Sequence, residues 1–393
     1  MSKIREYTIE SLEPADLEQI RSTLAHGSAG IGSISLSDPH RLIVEVADDA
    51  TGEFVDRYLE GMVTGARRRR PRILFESKPS GPFPSDIDHQ LLASGELLPL
   101  GEGLFGIRGR TLQLCRFFEQ EFRAIAFRHH AEENRYPVLL PMEILEEVSY
   151  LAHFPQHATL CCHFPESLPV LDEIAESVER SGGRLNDEQR SRALPPTHVL
   201  QPAVCLPCYR QHRNRVIPDG RCLSLTVENQ VFRFEARNFR SLARLWNFHV
   251  RDLVFLGNRT DLVQLRRKVM EDTSELVCRL DLGARIEIAN DPFFTSSSRG
   301  KTVHQHLQEA KYELGLICPG DSTRVAAASF NLHGDFYSRV YNIRFASGDL
   351  VETACMGFGV ERWVYGFLAQ KGFDEERWPE PVLDFLNGQE ATR

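Results

Sequence analysis

The sequence predicts an α+β protein: a small N-terminal unit of strands and helices, then a larger domain in which an antiparallel sheet is flanked by helices. Three observations predict it. The first 76 residues alternate short apolar strands with amphipathic helices. A Pro/Gly/Ser stretch follows at 77–84. Beyond Leu200 strand patterns come in runs, as hairpin-connected antiparallel sheets require.

Element by element, residues 7–9 read as a strand, and 15–24, after Pro14, as a helix. Residues 32–36 and 42–46 are strands about the turn Ser37-Asp38-Pro39-His40. Phe54, Tyr58, Leu59 and Met62 mark a second helix, and 73–75 a last strand. The order β-α-β-β-α-β is the ferredoxin-like arrangement. Residues 1–76 are therefore expected as one domain, 77–84 as a linker, and 85–393 as the second domain. In the latter, a long amphipathic helix spans 111–130, a strand 136–140 and a further helix runs to Leu151. A charged helix at 168–180 ends at Ser181-Gly182-Gly183. Strands are expected at 223–227, 231–235, 250–255 and 339–345.

With 42% hydrophobic and 26% charged residues, the composition is that of an ordinary globular protein. No apolar run approaches the roughly 20 residues that span a bilayer, and the N-terminus lacks the apolar stretch of a signal peptide. A cytoplasmic location with no membrane partner follows as the expectation. The net charge of −9 weighs against a nucleic-acid partner, because such proteins usually carry a basic excess. The one basic run, Arg67 to Arg70, reads as a solvated helix end. Nine cysteines, an odd number, point to thiols rather than a disulfide framework. Cys161 and Cys162 read as core packing.

Two segments carry chemistry. Val231-Phe232-Arg233-Phe234-Glu235 is followed by a polar loop and then by Arg244-Leu245-Trp246-Asn247-Phe248-His249-Val250-Arg251-Asp252. The second, Thr353-Ala354-Cys355-Met356-Gly357-Phe358-Gly359-Val360-Glu361-Arg362-Trp363, reads as a glycine-bearing turn into a helix that presents Arg362. Arginine stays charged and its planar fork can hold two oxygens, so three separated arginines suit a polyphosphate. Phe248 beside them could stack on a purine. Taken singly, each arginine is more simply a surface residue; their order and context change that.

Phe-Arg-x-Glu, a loop, Arg-x-x-x-Phe and later Gly-x-Gly-x-Glu-Arg resemble motifs 2 and 3 of the class II aminoacyl-tRNA synthetases. Arg135-Tyr136-Pro137-Val138-Leu139-Leu140-Pro141 resembles motif 1, with Pro141 as its proline. Within the class, the chain looks most like the amino acid:[carrier protein] ligases, truncated relatives of an atypical archaeal seryl-tRNA synthetase. Supporting segments include His153-Phe154-Pro155-Gln156-His157, Pro202-Ala203-Val204-Cys205-Leu206-Pro207, Ala289-Asn290-Asp291-Pro292-Phe293-Phe294 and Ser329-Phe330-Asn331-Leu332-His333-Gly334-Asp335-Phe336.

The resemblance implies a catalytic zinc held by Cys205, Glu235 and Cys355, with the substrate's α-amino group in the fourth place. Two thiolates and a carboxylate suit zinc on chemical grounds, and three protein ligands leave one tetrahedral position open. Cys208, three residues after Cys205, reads as a bystander because no second Cys pair follows. The resemblance further implies that Arg233 contacts the α-phosphate and the reacting carboxylate. Arg244 and Arg362 would hold the outer phosphates of ATP, Phe248 would stack on adenine, and Asn331 would lie near the bound amino acid. Arg233 and Arg362 are thus the catalytic candidates. Magnesium would accompany ATP, with Glu352 and Asp335 as candidate carboxylates. Asp252 stands where motif 2 usually ends in glutamate.

The implied reaction is formation of an aminoacyl-adenylate from a small amino acid, then transfer to the phosphopantetheine thiol of a carrier protein. Carrier proteins are typically acidic, so Arg180, Arg184, Arg190 and Arg192 are a candidate dock, or equally a solvated face. Motif 1 implies a homodimer. The N-terminal unit stands in place of the helical arm with which seryl enzymes grip tRNA, which argues against tRNA charging. Transfer to a small amine or to tRNA, and an inactive binding module, are the alternatives.

Overall fold

A computed structural model describes residues 3–9, 20–21, 24, 28, 30–38, 40–66, 72–78, 80, 86–234, 239, 241–289, 310–318 and 323–390. Strands β1 (Lys3–Thr8), β2 (Ile31–Asp38) and β3 (Arg41–Val46) form an antiparallel sheet of order β1-β3-β2. Alternation in β3 buries Leu42, Val44 and Val46, and helix α1 (Asp49–Ala66) covers them with Val55 and Leu59. Ile20 and Leu24 join this small core; most of the expected first helix lies outside the described residues.

The expected fourth strand of a ferredoxin-like unit belongs elsewhere. β4 (Ile73–Ser77) pairs with the edge of the large sheet, Phe75 opposite Ile286 and Glu76 opposite Arg285. Phe75 packs against the large core and Glu76 pairs with Arg285 at 2.5 Å, contacts the small unit does not offer. Among the described residues the N-terminal unit thus has three strands, and the boundary placed after residue 76 falls inside a strand. Most of the expected linker lies outside the described residues.

The large sheet adds β5 (Glu132–Asn134), β6 (Leu223–Phe232), β7 (Asn247–Gly257), β8 (Ala284–Ile288), β9 (Lys311–Cys318), β10 (Thr323–Gly334) and β11 (Glu352–Gly359). Its order is β4-β8-β9-β10-β11-β7-β6-β5, antiparallel throughout except for the parallel β6–β5 pair. The helices needed below are α2 (Gly109–Arg128), α3 (Leu168–Arg180), α4 (Leu206–Arg210), α5 (Arg259–Arg279), α6 (Phe336–Tyr341) and α7 (Val360–Lys371). Helices α2, α5 and α7 pack on the sheet. Phe122 of α2 stacks on Phe358 of β11 with ring centres 4.8 Å apart, and Trp363 of α7 closes against Phe118 and Phe122.

Because successive side chains of a strand alternate, residues out of phase with Phe358 face away from those helices. On that face Cys355 lies opposite Asn331 and Gly357 opposite Ser329 and Asp252. Gly357 is required there: a Cβ on it would come within 2.6 Å of Asp252 Oδ1.

Four further expectations are corrected. Residues 353–359 form strand β11 rather than a turn, since small residues let β7 and β10 close on both sides. The strand expected from residue 231 is the end of β6, which runs unbroken to Phe232 and pairs with β7 along its whole length; Glu235 lies outside the described residues. Of residues 339–345 only Arg344–Phe345 are a strand, paired in parallel with Val216–Ile217. Phe336–Tyr341 is helical, with Ser338 and Tyr341 buried three apart and Arg339 paired to Asp335 at 2.5 Å. Cys162 is exposed, so that pair is not core packing. Among the described residues no helix is long and apolar enough to cross a membrane.

Candidate active site

Cys205 stands at the start of α4, where the 201–205 segment is tied to the end of β6: Phe232 N–H donates to Gln201 O at 2.9 Å and Arg233 Nε to Pro202 O at 2.8 Å. This brings its sulfur to the face of β7 and β11 opposite α2 and α7. The ligand atoms of Cys205, Asp252 and Cys355 all lie within 4.8 Å of one another, and all three residues are buried. It is the one such group of donors among the described residues.

Burial pushes the Asp252 carboxyl up to about 6, against the pull of the Cys355 thiol, the Arg233 charge and the Cys205 thiol. The Cys355 thiol is raised well above its ordinary value by its hydrogen bond with Cys205, by burial and by Asp252. Left to themselves, these groups resist ionisation; a divalent cation among them would reverse that, because it rewards each deprotonated ligand. Two sulfurs and one carboxylate oxygen are a donor set that fits zinc and leaves a tetrahedral position open.

Glu235, expected as the third ligand, lies outside the described residues. The acid that meets the two thiols among the described residues is Asp252. Its signal in the sequence was its setting, a lone carboxylate ahead of the apolar run Leu253-Val254-Phe255, where an acid needs a charge partner. Cys208 is buried, and its sulfur is not part of the group.

Beside the donors lies a second cluster. The Phe248 ring has the Arg233 guanidinium carbon 5.9 Å and the Arg362 guanidinium carbon 5.7 Å from its centre. Arg362 is braced by Nε–H to Ala243 O and Nη1–H to Ala326 O, both 3.1 Å. Arg244 follows directly on Ala243, half-buried. Arg233 reaches both clusters, since its charge also acts on Asp252. Asn331 Nδ2 donates to Ser329 Oγ at 3.1 Å and to Cys355 O at 3.3 Å, which sets its amide beside the thiols.

Sequence reasoning missed an aromatic wall. Tyr209 of α4 stacks on Tyr337 of α6 with centres 3.9 Å apart, and His333 stands edge-on to both. Burial, with the neighbouring Cys355 and Cys205 sulfurs, pushes the Tyr209 phenol well above its ordinary value. Glu352 and Asp335, the candidate magnesium carboxylates, pair with Arg259 and Arg339 respectively.

No family model matches the chain. A type-2 serine–tRNA ligase of Methanothermobacter thermautotrophicus is 27% identical over 363 residues, covering 90% of this chain and 68% of that protein. The chain spans about half the length of several other type-2 serine–tRNA ligases. Amino acid–[acyl-carrier-protein] ligase 2 of Bradyrhizobium diazoefficiens is 30% identical over 322 residues, covering 80% of this chain and 92% of that one. Among solved structures, M. kandleri SerRS in complex with A. aeolicus tRNASec superposes with a TM-score of 0.74 at 22% identity, over 92% of this chain and 74% of that one. On this sheet topology and this likeness, the chain belongs to the amino acid–carrier-protein ligases, a ligase family built on the class II, atypical seryl-type synthetase fold.

Proposed function

We propose that the protein uses ATP to activate a small amino acid as its aminoacyl-adenylate and then passes the aminoacyl group to the phosphopantetheine thiol of an acidic carrier protein. The observation that carries this reading is the convergence of Cys205, Asp252 and Cys355 beside a slot walled by Phe248, Arg233 and Arg362. Zinc on the three donors would supply an open position for the substrate's α-amino group, and so recognise an amino acid by its common end.

Every other part is side-chain work. Asn331 hydrogen-bonds the bound amino acid. Phe248 stacks on adenine, and Arg362 with Arg244 holds the outer phosphates, whose charge the accompanying magnesium also offsets. Arg233, within reach of both clusters, lies where the substrate carboxylate meets the α-phosphate. A carboxylate oxygen bonds to that phosphorus as the bond to pyrophosphate breaks, and the Arg233 fork stabilises the charge gathered on the phosphoryl oxygens. In the second step the carrier thiol attacks the carbonyl carbon, AMP leaves, and the thiol proton passes to solvent.

For the acceptor, the carrier reading draws support from the ligase whose length the chain nearly matches. The N-terminal sheet adds to it: Lys3, Arg5 and Arg41 are engaged by Asp49, Asp56 and Glu6, which leaves little charge for a phosphate backbone. The tRNA alternative rests on the long superposition with a synthetase in complex with tRNA. In the candidate dock, α3 carries Asp172, Glu173, Glu176 and Glu179, and Arg190 and Arg192 pair with Asp187 and Glu173. Among the described residues Arg180 and Arg184 are in no ion pair, so these two are the cations we assign to an acidic carrier. The exposed Leu139 and Leu160, flanking one small sheet, support a homodimer through the 135–141 segment.

The test is amino-acid-dependent exchange of labelled pyrophosphate into ATP, followed by incubation with phosphopantetheinylated carrier or tRNA. Exchange with one small amino acid, and label appearing on the carrier in a thiol-sensitive bond, is the expected result. No exchange with any amino acid sinks the activity, and label on tRNA alone replaces the acceptor.

A further inference from the structure

Phe248 and Arg362, the two walls of the nucleotide slot, each have a sequence neighbour that meets the other's on the far side of the backbone. His249 follows Phe248 on β7, and Glu361 precedes Arg362 in the first turn of α7. Adjacent strand residues point to opposite faces, so His249 is turned away from the slot. Its Nδ1 lies 2.7 Å from Glu361 Oε1. Its backbone N–H donates to the same carboxylate, 2.9 Å to Oε2 and 3.1 Å to Oε1.

The ladder explains why a carboxylate is there. Pairing of β7 with β11 ends at Val250 opposite Gly359, so the N–H of His249 has no strand partner beyond it. A buried amide without an acceptor is costly, and Glu361 supplies one. The Glu361 side chain is 3% exposed while that of His249 is 40% exposed. The carboxylate is therefore the fixed member and the ring is the half-solvated one. On its other side, His249 Nε2 lies 3.2 Å from Gln230 Nε2, and Gln230 Oε1 accepts from Asn247 Nδ2 at 3.2 Å. The carboxylate can only accept, so the ring carries a proton on Nδ1 towards Glu361, and Nε2 faces the Gln230 amide. The relay Asn247–Gln230–His249–Glu361 thus links the two strands below the slot to the helix above it.

We infer that His249 and Glu361 are positioning residues that set the distance between Phe248 and Arg362, and with it the affinity for ATP, without touching the nucleotide. This rests on the adenylate-forming reading, in which that slot holds ATP. One link covers two walls: a shift of α7 against β7 moves the Arg362 fork relative to the Phe248 ring. An offset of a fraction of an ångström already loses stacking contact.

The experiment measures ATP binding to the full-length, zinc-loaded protein by equilibrium dialysis, together with KM and kcat for pyrophosphate exchange and the metal content. His249→Leu and Glu361→Gln are expected to weaken ATP binding by about tenfold, as for loss of a charge-assisted hydrogen bond. KM for the amino acid and the bound zinc stay as in the unaltered protein, and kcat at saturating ATP falls much less than KM rises. His249→Asn, whose amide nitrogen can take the place of Nδ1, is expected to restore binding. ATP bound by the Leu and Gln variants as by the parent overturns the inference. So does equal weakening by His249→Asn and His249→Leu, or a loss confined to kcat. Parent protein that binds ATP but exchanges no pyrophosphate sinks the proposed activity and leaves the pair's role standing. Parent protein that binds no ATP removes both.

Discussion

Arg233→Lys is expected to lower pyrophosphate exchange by about 10²–10³-fold at full zinc occupancy, the size of effect seen when one donor to a developing oxyanion is removed. Lysine keeps the charge, so charge alone is not what the change removes. What it removes is the fork: Nε donates to Pro202 O, and the remaining guanidinium hydrogens extend between the thiol cluster and the Phe248 ring. A lysine ammonium in that place has no second arm to keep one donor on the backbone while another meets a phosphoryl oxygen. KM for ATP should change less than kcat, because Phe248 and Arg362 remain. A loss confined to KM, with kcat untouched, would assign Arg233 to nucleotide binding alone.

The second large effect concerns the metal. Cys355→Ser and Asp252→Asn are each expected to leave less than about a tenth of the bound zinc after gel filtration with a mild chelator, since each removes one of three protein ligands. Glu235→Gln is the discriminating control. Zinc retained in Glu235→Gln and lost in Asp252→Asn places the third ligand on β7; the reverse places it in the segment after β6. Elemental analysis reads this without any assay of activity. Zinc bound at parental level by Cys355→Ser contradicts the site altogether.

Much of the candidate site was legible because its residues sit in contiguous motifs. Arg233, Phe248 and Arg362 are spread over 130 positions, yet each lies in a short string whose order singled it out, and the structure brings both arginines to the Phe248 ring. Asn331 and Cys355 likewise stand directly opposite on neighbouring strands. Helix α3 was readable from local periodicity alone. What escaped depends on register and on distant partners. Asp252 joins the thiols because β7 is in phase with Gly357 of β11, and no local pattern encodes that phase. Strand 73–77 looks like any fourth strand of a small unit; its assignment is settled by Arg285, 209 residues away. Residues 336–341 carry Phe, Tyr and Val, which favour strands in isolation, but burial of Ser338 and Tyr341 on one side selects the helix.

The placement of β4 has a practical corollary for anyone trimming this protein to its larger domain. A cut at position 77 removes the outermost rung of the large sheet and strips β8 of its lateral neighbour, baring a row of amide and carbonyl groups that invites self-association. A cut ahead of Arg72 keeps that rung in place. The large domain therefore begins ahead of residue 73, and a soluble fragment of it must carry that strand.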